Sequence, residues 1–471
     1  MDKRDELKNI LPENNYDGNF ITKARYPHIF EEGLDKSVVE EISEIKKEPD
    51  WMKRLRLKAL EIFNSKPVPK WGAPLDIDFN KIRYYVLPDE VKARKWEDLP
   101  ADIRETYEKL GLPEMEKKYL SGSVAVMDSE GVYANLKKQF EEKGVIYLDT
   151  DSALQKYPDI FKEYFMNIVP VGDNKFSALN GAVWSGGSFI YVPENVHVDL
   201  PLMTYFRINV QAEGQFEHTI IIAEKNSSVS YIEGCTAPIY NANSLHSAVV
   251  EVYVKENAKV RFTTVQNWSH DIYNLNTERA RVERNGKMEW VGGSLGSKVT
   301  MLYPSSYLVG EGASASHLSI ALASGNTWKD NGAKVLHLAP NTSSKIISKS
   351  ISMNGGVSVY RGLVRIPKGA VNSKSHVQCD ALILDENSKN YTYPHNEVYE
   401  ETSNLTHEAS AGKIGEEQLF YIMSRGLSEE EARSMIVLGF LDNVLKEIPL
   451  EFSLELNRLI KLQLERYGGT G

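Results

Sequence analysis

Apolar and polar positions change their period twice along this chain. Up to about residue 164, and again from about residue 401, apolar residues recur every three or four positions, as along amphipathic helices. Between these regions, short runs of Val, Ile, Tyr and Thr alternate with turn residues, which is typical of strands. The pattern predicts a helical domain over residues 1–164, a β domain over 165–400 and a second helical domain over 401–471.

The N-terminal region contains two predicted helices. Residues 35–63 have helical spacing, with Ser37 as the N-cap and a break at Pro49. Residues 128–144 show a second helical pattern, with Gly144 in position to end it. We therefore expect helices to form most of this domain.

The β region contains an internal repeat. An apolar run, a polar turn and a second apolar run recur seven times, with spacings of 31, 31, 28, 27, 29 and 28 between successive turn residues. The turn residues are Asn195, Asn226, Asn257, Asn285, Gly312, Asn341 and Gly369. Asn and Gly tolerate positive φ, and stacked units bury apolar faces that single strand pairs leave exposed. The repeat predicts a parallel β-helix with one coil per unit. An antiparallel sandwich is the alternative, but sandwiches seldom keep so regular a period.

Helical spacing returns after the β region. Residues 414–426 form one predicted helix, and a second begins at a capping box of Ser428 and Glu431. A third covers residues 451–467. We expect these helices to pack on each other over part of their apolar surface, which leaves the remainder for a partner.

Composition and charge narrow the class of protein. The 471-residue chain has a formal net charge of −10 and a pI near 5.6, which argues against nucleic acid or an anionic membrane as its main partner. The first residues contain no apolar signal-peptide core, and no run approaches the about 18 apolar residues of a membrane span. Two cysteines cannot form a disulfide framework. We therefore expect a cytoplasmic protein with no membrane or nucleic-acid partner.

The sequence contains few signatures of common enzymes. Residues 292–300 (GGSLGSKVT) fail the spacing of a phosphate-binding P-loop, and no HExxH or CxxC motif occurs. β-Helix proteins often act on polysaccharides through clustered carboxylates, but these repeats show no regular row of Asp or Glu. We therefore predict no catalytic residues and keep a carbohydrate-active enzyme only as an alternative.

The two cysteines occupy similar places in their repeats. Cys235 lies nine residues after the turn at Asn226, and Cys379 lies ten residues after the turn at Gly369. They are five repeats apart, and stacked coils are spaced by about 4.8 Å, so roughly 24 Å should separate the thiols. That distance excludes a disulfide.

Cys379 lies in the apolar run SHVQCDALIL. A period of two places it on one face with Val377, Ala381 and Ile383, so its thiol should point inward. This pattern alone supports a buried core residue.

A polar segment, residues 403–415, lies between the last predicted strand and the first C-terminal helix, and it contains His407 and Glu408. We expect it near the last coils and therefore near Cys379. Thiolate, imidazole and carboxylate together suit a borderline metal, so Cys379, His407 and Glu408 are candidate ligands. One thiolate is too few for a complete structural site, which favours a transient cluster or a shared one. A connecting loop with ordinary charges is the alternative.

Several blocks resemble the SufB branch of the SufB/SufD family, whose members are scaffold subunits of the Suf iron–sulfur cluster assembly machine. The blocks are residues 232–254, the QNW of VQNWSH, KSHVQCDALIL and residues 406–440. Residues 48–63 resemble the family's N-terminal helix, and the resemblance extends over residues 26–467. It implies a mainly β fold in which a right-handed parallel β-helix core is flanked by N-terminal and C-terminal α-helical domains.

The resemblance implies a scaffold for de novo cluster assembly rather than an enzyme. Such a subunit pairs with SufD or with a second SufB copy, and its C-terminal helices hold the ATPase SufC. Sulfur comes from a cysteine desulfurase through a sulfur carrier, and the iron–sulfur cluster is transient. The family allows for a flavin, for which this sequence has no motif. A SufD-like structural partner without a cluster is the alternative, although both cysteines and His407 are retained.

The resemblance also implies roles for single residues. Cys235 matches the sulfur acceptor, and Cys379 and His407, with Glu408 beside them, match the cluster-assembly site at a subunit interface. The residues that match an interior sulfur path are Arg207, Asn209, Gln266 and Trp268. Thr406 stands where an acidic residue is common and Glu278 where a lysine is expected, so the ligand set and the charge of the path depart from the family's pattern.

Overall fold

The computed structural model describes residues 22, 24–88, 93–238, 244–446 and 456–464. Helices precede and follow the long β region. They are α1 (Lys36–Ile45), α2 (Asp50–Ser65), α3 (Ala101–Lys109), α4 (Leu112–Tyr119), α5 (Lys138–Glu141), α6 (Thr150–Lys156), α7 (Pro158–Tyr164), α8 (Lys175–Val183), α9 (Glu416–Met423), α10 (Glu429–Leu445) and α11 (456–464). Short 3-10 helices cover Phe79–Lys81 and Trp96–Asp98.

Strands dominate the middle of the chain. They are β1 (His28–Ile29), β2 (Val86–Leu87), β3 (Gly122–Met127), β4 (Glu130–Leu136), β5 (Ile146–Asp149), β6 (Ser188–Val192), β7 (Leu202–Arg207), β8 (Gly214–Gln215), β9 (His218–Ala223), β10 (Ser228–Thr236), β11 (Ser244–His246), β12 (Val249–Val254), β13 (Lys259–Trp268), β14 (Ile272–Val282), β15 (Lys287–Gly296), β16 (Val299–Leu302), β17 (Ser305–Leu308), β18 (Ser314–Ser324), β19 (Trp328–His337), β20 (Ser343–Met353), β21 (Val357–Ile366), β22 (Lys374–Ile383), β23 (Lys389–Val398) and β24 (Asn404–Lys413).

The strands form two long sheets, each a stack of parallel rungs. The first sheet has the order β24-β22-β20-β18-β15-β13-β10-β7-β3-β4, and the second has the order β23-β21-β19-β16-β14-β12-β9-β6-β5. From β18 to β24 the chain alternates between the sheets, and each strand pairs in parallel with the strand two elements later. This architecture is a parallel β-solenoid flanked by helices, as the repeat predicted. The division of the chain at residues 164 and 400 into domains stays a prediction.

The predicted turns coincide with the left-handed backbone positions of the solenoid. All seven turn residues have positive φ, from 53° at Asn285 to 90° at Gly369. Asn226, Asn257 and Asn285 each donate a side-chain hydrogen bond to the asparagine one turn earlier, at 2.9, 2.9 and 3.2 Å. The asparagines therefore satisfy the backbone requirement and also tie successive turns together.

The sequence prediction was wrong at the start of the solenoid. In the helix predicted over residues 128–144, residues 130–136 are strand β4, which pairs antiparallel with β3, and only α5 is helical. Pairing with the sheet outweighs the helical spacing here. The N-cap of α1 is Asp35 rather than Ser37, because the Asp35 carboxylate accepts the backbone N–H groups of Ser37 and Val38.

The C-terminal end of the solenoid also differs from expectation. The polar segment 403–415 is mostly strand β24, which pairs with β22 and forms the last rung with β23. Ser428 and Glu431 form the predicted capping box. Rather than packing chiefly on each other, α10 and α11 bury Val437, Leu441 and Leu456 against the outer face of the first sheet. In the predicted helix 451–467, only 456–464 lie within the described residues. Among those residues, no helix combines the length and apolar character that crossing a bilayer requires.

Candidate functional site

Cys235 and Cys379 lie on the same sheet and both face the solenoid interior. The position of Cys235 in β10 is in register with one residue on each following strand of the sheet. These residues are Gln266, Ser294, Ala321, Ser350 and Ala381, and Ala381 lies two residues after Cys379. Five strand steps therefore separate the two cysteines, about 24 Å at the usual spacing. Both thiols are free, which confirms that they form no disulfide with each other.

Cys235 is buried among acidic side chains. Its Sγ lies 3.7 Å from Oε1 of Glu233, which shares the inward face of β10. Burial raises the pKa of the Cys235 thiol far above its usual range, and the neighbouring carboxyls of Glu233, Glu217 and Glu278 raise it further. Cys235 is therefore a protonated thiol in the unmodified protein.

A hydrogen-bonded chain connects this thiol pocket with the predicted path residues. Nε2 of His246 lies 2.5 Å from Oε1 of Glu217, and its Nδ1 donates to Oδ1 of Asn274 at 2.8 Å. The Asn274 amide and the Trp268 indole N–H both donate to Oε1 of Gln266, the latter at 3.3 Å. Gln266 and Trp268 thus belong to one polar network that ends next to Cys235.

Glu278 occupies the position at which the family resemblance predicts a lysine. It lies in β14 and is 2 % exposed. Burial, followed by the Glu217 charge, raises the pKa of its carboxyl to about 8. The pocket around Cys235 therefore carries three acidic groups where the family pattern suggests a cation.

Arg207 ends strand β7 and Asn209 follows it, and both contact parts of the molecule other than the Cys235 thiol. The Arg207 guanidinium donates to Oγ1 of Thr236, the residue after Cys235, at 3.1 Å. Asn209 instead accepts the backbone N–H of Thr22 and donates to the Thr22 carbonyl, at 2.7 and 2.8 Å. Thr236 and Arg207 are in register on the outward face, whereas Cys235 and Phe206 point inward, so Arg207 lies on the opposite face of the sheet from the thiol, and Asn209 anchors an N-terminal segment.

Cys379 and His407 meet at the end of the solenoid. His407 in β24 is in register with Val377, on the inward face, and its Nε2 lies 3.7 Å from the Cys379 Sγ. Burial raises the pKa of the thiol to about 12, despite a hydrogen bond from Tyr360 that lowers it. Burial also lowers the pKa of His407. A neutral imidazole and a thiol that must lose its proton are the starting state for a metal ligand pair.

Glu408 is not part of this pair. It is in register with Gln378 on the outward face of β24 and is exposed, so its carboxylate points away from Cys379. Thr406 shares that face and hydrogen-bonds to Nδ1 of His376 at 2.8 Å. The alternation of strand β24 separates two neighbours that the sequence prediction had grouped.

Small side chains form a continuous inward column between the two cysteine sites. The register leads from Glu233 through Thr264, Gly292, Ser319 and Ser348 to Cys379. The neighbouring inward column runs through Tyr231, Phe262, Trp290 and His317 and is filled by rings. A cavity of about 30 Å³ opens beside Thr264, Gly292 and Ser319. A packing defect therefore lies between the two thiols.

Comparison with known sequences assigns the family. The pattern described as "SUF system FeS cluster assembly, SufBD core domain" matches residues 206–440, and "SufBD protein N-terminal region" matches residues 36–203. The chain belongs to the SufBD family. Iron–sulfur cluster assembly SufBD family proteins of Staphylococcus epidermidis (strain ATCC 12228), Staphylococcus haemolyticus (strain JCSC1435) and Staphylococcus aureus (strain MRSA252) are each 55% identical to it over 436 residues. The alignment covers 92% of this chain and 94% of each relative. It is therefore a SufBD protein of iron–sulfur cluster assembly.

Four groups around Cys235 in this SufBD protein were absent from the sequence prediction: Glu217, Glu233, His246 and Asn274. One had a local signal, because Glu233 interrupts the inward series Val229, Tyr231, Cys235 two residues before the thiol. The others come from or beside strands of the second sheet. Only the stacking of rungs brings them to Cys235.

Proposed function

We propose that this chain is the cluster-building, SufB-type scaffold of its family. Cys235 accepts sulfur, and a transient iron–sulfur cluster is built at Cys379 and His407 on an interface between subunits. The observation that carries the proposal is the contact of Cys379 with His407 on the last two strands of the first sheet, at the end of a column of small side chains that begins beside Cys235.

The column supports sulfur passage between the two cysteines. A sulfur atom is small and polarisable, and the interior excludes competing thiols and oxidants. Gly292 and Ser319 leave space at inward positions where the neighbouring column carries Trp290 and His317. Gln266 and Trp268 position the acceptor end, whereas Arg207 and Asn209 contribute at a distance, Arg207 through Thr236 and Asn209 by anchoring the N-terminal segment.

The last rung supports pairing with a second subunit, either SufD or another copy of this chain. Within the described residues, strands β23 and β24 each pair on one side only, so their outer edges present backbone groups without a strand partner there. Tyr393, Val398 and Tyr399 are exposed beside this edge. Cys379 and His407 supply two ligands, fewer than a cluster needs, and the facing subunit would complete the set, with Glu408 placed on the outer face of the same strand.

The C-terminal helices support docking of the ATPase SufC. α9 and α10 expose Phe420, Tyr421 and Met435, of which Phe420 is 74% exposed. Movement of these helices by SufC would loosen the end of the solenoid, where Arg433 of α10 donates a 3.3 Å hydrogen bond to the Leu384 carbonyl in the connection between β22 and β23. The opening would let Cys379 lose its proton. A cysteine desulfurase and a sulfur carrier would load Cys235 by transfer from a carrier persulfide, whose thiol leaves, and a two-electron reductant would then convert this sulfur to the sulfide of the cluster.

Anaerobic reconstitution tests the proposal. The full chain with SufC, ferrous iron and sulfide should develop the absorption band of a cluster, and Cys379→Ala should abolish it. Cys235→Ala should retain the band when free sulfide is supplied and lose it when a desulfurase is the only sulfur source. A folded wild-type chain that takes up no cluster would identify a SufD-like structural partner instead.

A steric block tests the path separately. A side-chain carbon on Gly292 would meet only Thr264, at 3.7 Å, so Gly292→Val should fold while narrowing the column. We expect desulfurase-fed clusters to be lost and sulfide-fed clusters to form. Gly172→Val, at an open position before α8 and away from the last rung, is the matched control. Normal desulfurase-fed assembly in Gly292→Val would contradict passage along this column.

A further inference from the structure

Three metal-ligating side chains meet in the middle of the solenoid, far from Cys379. One ligand atom from each of Glu217, Cys235 and His246 lies within 4.8 Å of the other two, and all three residues are buried. We propose that these side chains bind one borderline divalent transition-metal ion, of the Zn²⁺ or Fe²⁺ class, inside the solenoid.

The buried carboxyl groups around the three side chains favour the binding of a cation. Glu217, Glu233 and Glu278 are each at least 98% buried. Among the described residues, no lysine or arginine forms an ion pair with any of them, and His246 is the one basic group in contact, with Glu217. One oxygen of each carboxyl, Oε2 of Glu217, Oε2 of Glu233 and Oε1 of Glu278, lacks a hydrogen-bond partner in the described part of the chain. Buried carboxylates are normally paired or bound to metals, so the acidic pocket is electrostatically incomplete as a purely protein structure.

The imidazole of His246 is oriented as a ligand. Its Nδ1 donates to the Asn274 carbonyl oxygen, and the Asn274 amide is held in turn by Gln266. This arrangement directs Nε2 toward Glu217 and Cys235. A histidine whose second ring nitrogen donates to a fixed oxygen is the usual support for a metal-bound imidazole.

The donor set defines the class of ion. One thiolate, one imidazole and one carboxylate suit Zn²⁺ or Fe²⁺, whereas Mg²⁺ and Ca²⁺ prefer oxygen donors only. Bonds of about 2.0 Å to nitrogen and about 2.3 Å to sulfur place tetrahedral ligand atoms about 3.5 Å apart, so side-chain shifts on the order of 1 Å close the site. Glu233, 3.7 Å from the thiol, is placed to supply the fourth ligand. Binding displaces the thiol proton and the proton held between His246 and Glu217.

Cobalt substitution tests the site in a chain that has one thiol. The full-length Cys379→Ser variant is produced in medium supplemented with Co²⁺, so that the ion can enter before the solenoid closes. We expect about one Co²⁺ per chain by elemental analysis and a thiolate-to-cobalt charge-transfer band, because Cys235 is the only sulfur that can cause such a band.

Variants of the other ligands decide the assignment. In the Cys379→Ser background, Cys235→Ser should remove the charge-transfer band, and Glu217→Gln with His246→Gln should reduce bound cobalt at least tenfold. His317→Gln is the matched control, because His317 is also buried in this interior but contacts Ser306 rather than the cluster. Far-UV circular dichroism checks that each variant is folded. A folded Cys379→Ser protein without the band, or a band that survives loss of both Glu217 and His246, would overturn the proposal.

The experiments can disprove the metal site without disproving the cluster-building role, and the reverse. Cobalt binding is measured without Cys379, SufC or sulfide, whereas cluster formation requires all three. A cobalt site in a chain that builds no cluster would support the metal site alone. Cluster formation in a chain without the band would support the scaffold role alone.

Discussion

Cys235 and Cys379 share a sheet and an inward face, but they differ in how much of the solenoid covers them. Among the described strands, the first sheet continues beyond Cys235 through β13, β15, β18, β20, β22 and β24, whereas beyond Cys379 it continues through β24 alone. Both thiols are at most 4% exposed. The comparison shows that a solenoid can bury two chemically identical groups equally and still give only one of them a short route to its surface.

The partner histidines repeat this contrast. His246 is fully buried, with both ring nitrogens within hydrogen-bond distance of neighbours at 2.5 and 2.8 Å. His407 is half-buried, and its nitrogens make long contacts of 3.7 and 3.5 Å with Cys379 and Asn396. The histidine of the central site is therefore held more tightly than the histidine of the terminal site.

The largest expected difference is in thiol reactivity. Cys379 becomes accessible when the last rung opens, whereas Cys235 requires separation of central strands, which approaches global unfolding. We expect an alkylating reagent to label Cys379 on the order of 1,000-fold faster in dilute denaturant. Mass spectrometry of the labelled chain measures both rates, and Cys235→Ser and Cys379→Ser assign the signals. Equal rates would remove the distinction between the two sites.

Substitution of Glu278 should change how the free energy of unfolding depends on pH. Burial raises its pKa from 4.5 to about 8, so in the folded chain it binds a proton that the unfolded chain releases above its lower pKa. Its contribution to the free energy of unfolding is present below pH 4.5 and is lost as the pH rises toward 8. Glu278→Gln should therefore gain stability over wild type with rising pH, by about 3 kcal/mol at pH 7. Urea unfolding of chelator-treated protein from pH 5 to pH 8.5 measures this.

Glu289→Gln is the control, because the contribution of Glu289 to stability changes with pH in the opposite direction. Lys287 and Arg261 outweigh the effect of burial and lower the pKa of Glu289, so this carboxylate stabilises the fold at neutral pH and loses its contribution as the pH falls. A Glu278→Gln variant whose stability follows that of wild type at every pH would show that Glu278 is ionised, or that a cation neutralises it.

Replacing each histidine by alanine compares how much His246 and His407 contribute to the free energy of unfolding. His246→Ala leaves Glu217 and Asn274 without a buried partner and should lower the free energy of unfolding by about 3 kcal/mol. His407→Ala should cost less than about 1 kcal/mol, because its contacts are long and half-exposed, while abolishing cluster formation. Chemical denaturation and reconstitution measure the two effects. A larger loss of stability in His407→Ala would contradict a loosely held terminal site.

The smallest expected difference lies in the turn asparagines. Asn257 both donates and accepts in the ladder, whereas Asn372 donates one long bond, of 3.4 Å, to Asn341. Asn257→Ala should therefore cost about 2 kcal/mol and Asn372→Ala about 1 kcal/mol, since both also place alanine at positive φ. Glycine at the same positions removes the side-chain hydrogen bonds without backbone strain, so it measures the contribution of the asparagine ladder alone. Thermal unfolding measures the series, and equal losses would mean that the ladder contributes nothing.

Local rules in the sequence predicted the repeating part of the fold. A turn that needs positive φ favours Asn or Gly, so all seven predicted turn residues, from Asn195 to Gly369, fall at left-handed backbone positions. Alternation along a strand placed the Cys379 side chain inward with Val377, as observed. The same rules failed at both ends of the solenoid, where residues 130–136 and 404–413 are strands because an existing sheet edge accepts their backbone groups.

The sequence by itself determined the solenoid, the spacing of its two cysteines and the inward direction of Cys379, because period and alternation are properties of neighbouring residues. Only the tertiary structure decided that His407 meets Cys379 while Glu408 does not, and that Glu217 and His246 converge on Cys235. These residues come from different rungs or from beside different strands, and parallel stacking alone sets their register. Contacts between residues on different strands produce no periodic pattern in the sequence. The grouping of side chains at both sites could therefore be identified only in the folded molecule.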